Sequence, residues 1–378
     1  MRILEINYEF PPVGGGGGRV TEDLSRELAK RGHEVRVQTA HLKGLPKMER
    51  RDGYSIYRSM SFRRRADQCG VGEMAAFIIT NFIPTLCHIL KWKPDVLHIH
   101  FAIPTGVLGL ISNLITGVPY VITAHLGDIP GGNPEQTALL FSLIKPFTTP
   151  VWHRAAAITV HSQYTKDLAF NAYGVSSIII PNGMDMSSFQ QVASAPHDPR
   201  RLIFAGRFIP QKNPLFMIDV LDKVKDLSWQ MDMFGDGPLM DAVKGKIHKS
   251  NLDQRINLHG WVSPEELDGT MREGDILCLP SLSESMPIVA VRALGHGLAI
   301  LASDIRGIYD IVKPGVNGSL CPVNEVNAFT TALRSMLLSE ETIRNMKKGS
   351  ILQAAQFDST IIARQYEQLF RSVVSCAV

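Results

Sequence analysis

Two cations and a carboxylate stand where a parallel α/β domain presents chemistry. Arg207 and Lys212 lie five residues apart in the loop AGRFIPQKNP, residues 205–214. Glu284 lies in PSLSESMPIVAVRALGHG, residues 280–297. The apolar run DILCLP before it, residues 275–280, reads as a buried parallel strand. Small polar residues follow, then Pro287 in a first helical turn, where its missing N–H costs nothing. Val289, Ala290, Ala293 and Leu294 give that helix an apolar face, and Gly295 and Gly297 end it. The amides of Met286, Ile288 and Val289 and the positive end of the helix dipole would then face an anion such as a diphosphate. Glu284, just outside the helix, would accept hydrogen bonds from hydroxyls. The same residues also describe an ordinary βα unit whose Glu caps its helix. Taken alone, Arg207 and Lys212 describe a solvated charged loop. In one half of the chain with Glu284 and a helix N-terminus, they describe two fixed charges for a phosphate.

The elements around them repeat. Strands at 201–205, 229–234, 255–259, 275–280, 299–302 and 318–321 alternate with helices at 214–224 and 239–249. Such alternation means a doubly wound parallel sheet. The first half alternates in the same way, with strands at 3–7, 34–39, 95–100, 119–124, 156–161 and 177–181. At 378 residues the chain is too long for one average core, so two domains are expected. The turn IPNGMD at 180–185 breaks the pattern, giving domains at 1–182 and 183–356, with a last amphipathic helix within 357–378.

In the first half, five glycines (Gly14 to Gly18) follow the first strand, at the carboxyl end where open α/β sheets bind ligands. The dinucleotide fingerprint fails here: Arg19 stands where a third Gly is needed, and no acid ends the second strand. A flexible turn and a surface for close backbone approach both remain open. His98 and His100 alternate on a strand and share a face. They lack a coherent set of further ligands, and no metal site is expected. His125 ends a strand and enters a loop, and the Pro- and Gly-containing stretch up to residue 150 reads as a lid-like loop. Residues 70–92 are apolar around most of a helix, which suits packing on the sheet or partial exposure at a membrane surface. Arg63, Arg64 and Arg65 read as a solvated loop, with contact to anionic lipid or a polyanionic acceptor as the sharper alternative.

A net charge of +3 without a basic stripe argues against nucleic acid. Five scattered cysteines without CxxC spacing argue against a disulfide framework or zinc. The N-terminus has no long apolar h-region, and a cytoplasmic location is expected.

The Glu284 stretch, the Arg207…Lys212 loop, His125 and the five glycines together resemble the retaining glycosyltransferases of family 4, over nearly the whole chain. The resemblance implies the GT-B fold: α/β, two Rossmann-like doubly wound parallel-sheet domains facing a cleft, the last helix packing back on the first. It implies that Gly15, Gly16 and Gly17 approach the substrates and that His125 contacts the donor sugar. Arg207, Lys212, Glu284, Ser285, Met286, Pro287, Ile288 and Val289 would bind the diphosphate and sugar. Gly206, Gly235, Trp261 and Val262 would lie along the nucleotide. Catalytic weight would fall on His125, Arg207, Lys212 and Glu284.

The activity implied is transfer of a hexosyl group, from UDP-glucose or a related nucleotide sugar, to a saccharide or lipid-linked hydroxyl acceptor in polysaccharide biosynthesis. Retention, no cofactor, and peripheral contact with the inner face of a membrane complete the expectation. A GDP-mannose-dependent mannosyltransferase, a nucleotide-sugar 2-epimerase and a non-catalytic nucleotide-sugar-binding protein are the alternatives. Two residues depart from the family pattern. Arg292 stands where a Glu usually binds the ribose hydroxyls, and Pro287 stands where a Gly is usual. An Arg cannot accept a hydrogen bond, so Arg292 is expected to meet the nucleotide differently, for example at a phosphate.

Overall fold

The computed structural model describes the chain apart from residues 67–68, 133, 187–188, 190–193 and 378, and without the side chains of 134–140, 142 and 377. It divides into two compact units, Met1–Asp185 with Phe357–Val378, and Met186–Gln356. The boundary falls at Asp185 rather than at residue 182 because the chain there pairs with the returning segment. Met184 N–H donates to the Phe357 carbonyl at 2.9 Å, and the Met184 carbonyl accepts from Ser359 N–H at 2.8 Å.

The N-terminal unit runs β1 (Arg2–Ile6), α1 (Gly16–Lys30), β2 (Glu34–Leu42), β3 (Met48–Arg51), β4 (Tyr54–Arg63), α2 (Val71–Trp92), β5 (Val96–His100), α3 (Thr105–Thr116), β6 (Tyr120–Thr123), α4 (Pro134–His153), β7 (Ala157–Val160), α5 (Gln163–Tyr173) and β8 (Ile178–Ile179). Its sheet is ordered β3-β4-β2-β1-β5-β6-β7-β8, parallel except that β3 runs against β4. Alternate strand residues feed two cores, as a period of two requires. Ile3, Val35, Val96 and Val121 face one core, with Leu24 and Leu28 of α1. Leu4, Leu97, Ile99 and Ile122 face the other, with Phe77 of α2, Leu108 of α3 and Trp152 of α4. Strand order reverses between β1 and β5, so their carboxyl ends form the switch point of this sheet.

Two expectations for this unit are corrected. The stretch read as a lid-like loop up to residue 150 is largely α4, which carries Pro146 and Pro150 inside it. Burial of Phe141, Val151 and Trp152 outweighs the helix-breaking cost of the prolines. The three arginines are not a uniform solvated loop. Arg63 ends β4 with its guanidinium buried, donating to the carbonyls of Tyr8, Arg65 and Ala66 at 3.0–3.3 Å.

The C-terminal unit runs β9 (Arg200–Ala205), α6 (Pro214–Asp222), β10 (Trp229–Phe234), α7 (Met240–Lys249), β11 (Ile256–Gly260), α8 (Pro264–Arg272), β12 (Ile276–Leu279), α9 (Ile288–Gly295), β13 (Ala299–Ser303), β14 (Gly318–Cys321), α10 (Val326–Leu338) and α11 (Glu340–Ala354). Its parallel sheet is ordered β11-β10-β9-β12-β13-β14. Its switch point lies between β9 and β12, paired through Leu202 with Ile276 and Ile203 with Leu277. A buried ammonium fastens α11 beneath this sheet: Lys347 donates to Asp275 at 2.8 Å and to the Gly274 carbonyl at 2.9 Å. The chain then returns to the first unit as α12 (Ser359–Ala377). Ile362, Tyr366 and Phe370 of α12 are buried in the core shared with α1.

Candidate active site

In the C-terminal unit, the loops after β9 and β12 leave adjacent strand ends at the switch point. That adjacency brings Lys212 to Glu284 although they are far apart in sequence, and Arg207 stands in the same loop as Lys212. The loops are laced together. Leu282 N–H donates to the Gln211 carbonyl at 2.8 Å, and the Gln211 amide donates to the Ser283 carbonyl at 2.9 Å. The Lys212 ammonium reaches Glu284 Oε1 at 2.5 Å, with Glu284 almost fully buried. Arg207 is exposed, and its guanidinium has no partner among the described residues.

Pro287 is the N-cap of α9, with φ −69° and ψ 119°, so it stands one residue before the helix rather than in its first turn. The first bonds inside the helix run from the Ala290 and Val291 N–H groups to the Pro287 carbonyl. The amides of Ile288 and Val289 therefore precede any acceptor in their own helix. The two loops of this switch point thus carry the free α9 amides, the Lys212–Glu284 pair and the exposed Arg207. Amides at a helix end and a guanidinium are groups that suit a diphosphate, and a carboxylate can accept from the hydroxyls of a sugar ring.

In the N-terminal unit the five glycines are not a floppy turn, because Gly16–Gly18 already form the first turn of α1. A Cβ on Gly17 would lie 2.7 Å from Phe101 Cζ and 3.3 Å from His125 Cε1, so only Gly lets the helix start approach these rings. Phe101 leaves β5 with φ +67° and stacks on His125, ring centroids 4.1 Å apart. His161, just after β7, has its ring centroid 4.8 Å from that of His125. Burial, then the neighbouring histidines, push the His125 pKa well below its ordinary value, so the ring is neutral. Its Nε2 is buried without a hydrogen-bond partner among the described residues. Asp128 orients the backbone of this corner, accepting from the Ala102 N–H at 2.7 Å and the His125 N–H at 3.1 Å.

His98 and His100 gain a third group that the sequence reading did not supply. Glu5 Oε2 lies 2.8 Å from His98 Nδ1 and 2.8 Å from His100 Nε2. These are metal-ligating residue types, but none of the three side chains reaches solvent. His98 also meets Thr123 Oγ1 at 2.7 Å and packs against Tyr366 and Phe370. Burial raises the Glu5 carboxyl, yet the His98 charge and the two histidine hydrogen bonds outweigh it and hold it at about 2. The group ties β1 and β5 to α12.

Two family profiles match this chain in succession. Residues 14–188 match Glycosyltransferase Family 4, and residues 185–353 match glycosyl transferases group 1. The chain belongs to the family 4 glycosyltransferases. An Escherichia coli relative, UDP-Gal:alpha-D-GlcNAc-diphosphoundecaprenol alpha-1,3-galactosyltransferase, is 27% identical over 67% of this chain and 73% of its own length. The N-acetyl-alpha-D-glucosaminyl L-malate synthase of Bacillus anthracis is 23% identical over 98% of this chain and 97% of its own. Among solved structures, sucrose-phosphate synthase from Thermosynechococcus elongatus superposes with a TM-score of 0.85 at 19% identity, covering 99% of both chains. The two-sheet architecture is therefore GT-B.

Within this glycosyltransferase the remaining expected residues divide into two groups. Trp261, just beyond β11, holds its ring 64% exposed at the carboxyl edge of the sheet, with Val262 half-buried beside it. Gly235 is explained by packing, since a Cβ on it would sit 1.9 Å from the Gly206 carbonyl oxygen, whereas a Cβ on Gly206 would only touch the Lys212 side chain at 3.5 Å. Arg292 is not open to a ligand as expected. Asp268 of α8 takes its guanidinium through both carboxylate oxygens, the Nε contact being 2.9 Å, and also meets His296 at 3.1 Å. Burial opposes ionisation of Asp268, but His296 and Arg292 more than offset it and hold its pKa low.

Sequence reasoning passed over four residues, two beside His125 in the N-terminal unit and two beside Glu284 in the C-terminal unit. Phe101 and His161 gave the signal of sitting directly after a parallel strand. Gln211 gave none. Gly307 is needed because a Cβ there would lie 1.7 Å from the Glu284 carbonyl oxygen, and that contact is invisible along the chain.

Proposed function

We propose that this glycosyltransferase moves a hexosyl group from a UDP-hexose, glucose or a close relative, to a hydroxyl of a lipid-linked or oligosaccharide acceptor in polysaccharide biosynthesis. The proposed setting is the cytoplasm, at the membrane that holds such an acceptor. The carrying observation is the set of Lys212, Glu284, Arg207 and the α9 amides around one switch point. Charge building on a departing nucleoside diphosphate would be met by Arg207, Lys212 and the Ile288 and Val289 amides, fixed positive groups acting where a divalent ion acts in other enzymes. No metal or cofactor enters this reading.

Glu284 would hold sugar hydroxyls, and in the N-terminal unit neutral His125 would offer one imidazole hydrogen bond to a hydroxylated substrate. The departing phosphate would take the acceptor's proton on the face it leaves, so the acceptor attacks there and the anomeric configuration is retained. The UDP-sugar and lipid-diphosphate chemistry in the name of the Escherichia coli relative supports this donor and acceptor class. The test is nucleoside diphosphate release across a panel of UDP-, GDP- and ADP-hexoses, with the anomeric configuration of product read by NMR. Release from UDP-hexoses with retained configuration is expected; release confined to GDP-mannose, or an inverted product, would overturn it.

A further inference from the structure

We propose that the outer face of α2, with the adjoining end of β4, docks on an anionic lipid bilayer. The inference deepens the lipid-linked part of the proposed function and rests on that reading only for its purpose; its test needs no donor. A 22-residue helix on the surface of a water-exposed domain normally turns charge outward. This one carries only Glu73 and Lys91. Its inner side is committed to the fold: Phe77 and Ile89 are buried in the core, and the Asn81 side-chain Oδ1 accepts from the Gln38 side-chain amide at 2.9 Å. It therefore lies on the domain rather than crossing a membrane. Its outer side steps through Val71, Ile79, Ile83 and Leu90, which are 57–74% exposed. Met60 and Phe62 of β4 extend that face and are equally open at 61% and 64%. The two elements are joined where Asn81 Nδ2 reaches the Met60 carbonyl at 3.4 Å.

Charge selects the occupant. Of the eight Lys and Arg in residues 43–65, Lys43, Lys47, Arg50, Arg64 and Arg65 are exposed, against one exposed acid, Asp52. Lys43 and Arg64 are exposed at the carboxyl end of the sheet flanking Phe62, and Lys47, also exposed, lies opposite Arg58 on the same edge. Apolar side chains interleaved with cations suit the headgroup boundary of an anionic bilayer, where both terms add. A second copy of the chain would set the same cations against themselves across a two-fold axis. The basic edge lies at the end of the sheet that carries Gly14–Gly18, so docking there would bring that end of the unit to the lipid surface.

The test is co-sedimentation of the full chain with vesicles of phosphatidylcholine alone and of phosphatidylcholine with phosphatidylglycerol. Binding to the anionic vesicles only, weakening as salt rises, is expected. The Ile79→Glu/Ile83→Glu and Lys43→Glu/Lys47→Glu variants should each lower the partition about tenfold or more. Circular dichroism and UDP release in free solution report whether each variant is folded. Equal binding to both vesicle types, no binding, or wild-type binding by the folded Ile79→Glu/Ile83→Glu variant would overturn the proposal. So would a dimer, seen by light scattering, that this variant dissociates. Vesicle binding without UDP release from any donor would leave this inference standing and remove the proposed function instead.

Discussion

Lys212 and Glu284, from loops after two neighbouring strands, form an ion pair of 2.5 Å in which both partners are mostly withdrawn from solvent. An arriving diphosphate and a sugar hydroxyl would compete for the two halves of this pair. Lys212→Ala should lower kcat about 10²-fold or more, as removal of one preorganised charge does. It should also lower stability by about 1–3 kcal/mol, because the Glu284 carboxylate is left buried without its cation. Steady-state UDP release and a denaturant melt read the two effects. Adding Glu284→Gln should recover much of the stability and none of the turnover. Wild-type kcat in Lys212→Ala would remove this lysine from the mechanism.

Arg292 is bound to Asp268, and its substitution should act first on the fold of the C-terminal unit. Arg292→Glu sets a carboxylate against Asp268, and a lowered thermal midpoint is expected. Arg292→Lys keeps the charge but loses the two-pronged geometry, so a smaller drop is expected. A tenfold rise in donor KM at an unchanged midpoint would instead place Arg292 on the nucleotide.

Gly17 touches Phe101 and His125 closely enough that a single methyl group matters. Gly17→Ala should cut turnover at least about tenfold through displacement of the stacked rings, while a helical Ala in place of Gly adds about 1 kcal/mol in propensity. Gly15→Ala has nothing within 4 Å of its Cβ and should leave the thermal midpoint nearly unchanged. Comparing the midpoints and kcat values of the two variants checks this; wild-type kcat in Gly17→Ala would contradict the packing argument.

Buried histidines should make the N-terminal unit acid-labile. Burial pushes His88, His100 and His161 down to about 4, and His33 and His125 below their ordinary value. Each binds its proton more readily when unfolded, so its contribution is complete above about pH 6.5 and is lost as pH falls toward 4. Asp128, raised by burial to about 8, and Asp23, raised by burial to about 6, work the other way. They are outnumbered, so unfolding takes up protons between about pH 6.5 and 4. Urea midpoints across that range should fall with pH. A flat profile would mean that these rings are hydrated in solution.

Much of the fold was legible because parallel strands buried on both faces are short, apolar and punctuated. DILCLP and EVRVQT announce themselves without knowledge of their partners. The strands around Lys212 and Glu284 were placed within a residue or two, which sufficed to put both residues in loops after strands. The stretch up to residue 150 was misread because local rules weigh Pro146 and Pro150, whereas the energy of α4 comes from where Trp152 and Val151 are buried. The Arg63 cluster was misread for a similar reason: a charge run looks solvated until a carbonyl from residue 8 arrives to take one of its guanidinium groups.

Two doubly wound units follow from hydrophobic period and turn chemistry, because both are written locally along the chain. Tertiary packing alone settles which groups are already engaged. It gave Lys212 to Glu284, Arg292 to Asp268, and Glu5 to His98 and His100. Each pairing joins residues brought together by sheet order or helix packing, and one-dimensional spacing carries no record of those contacts.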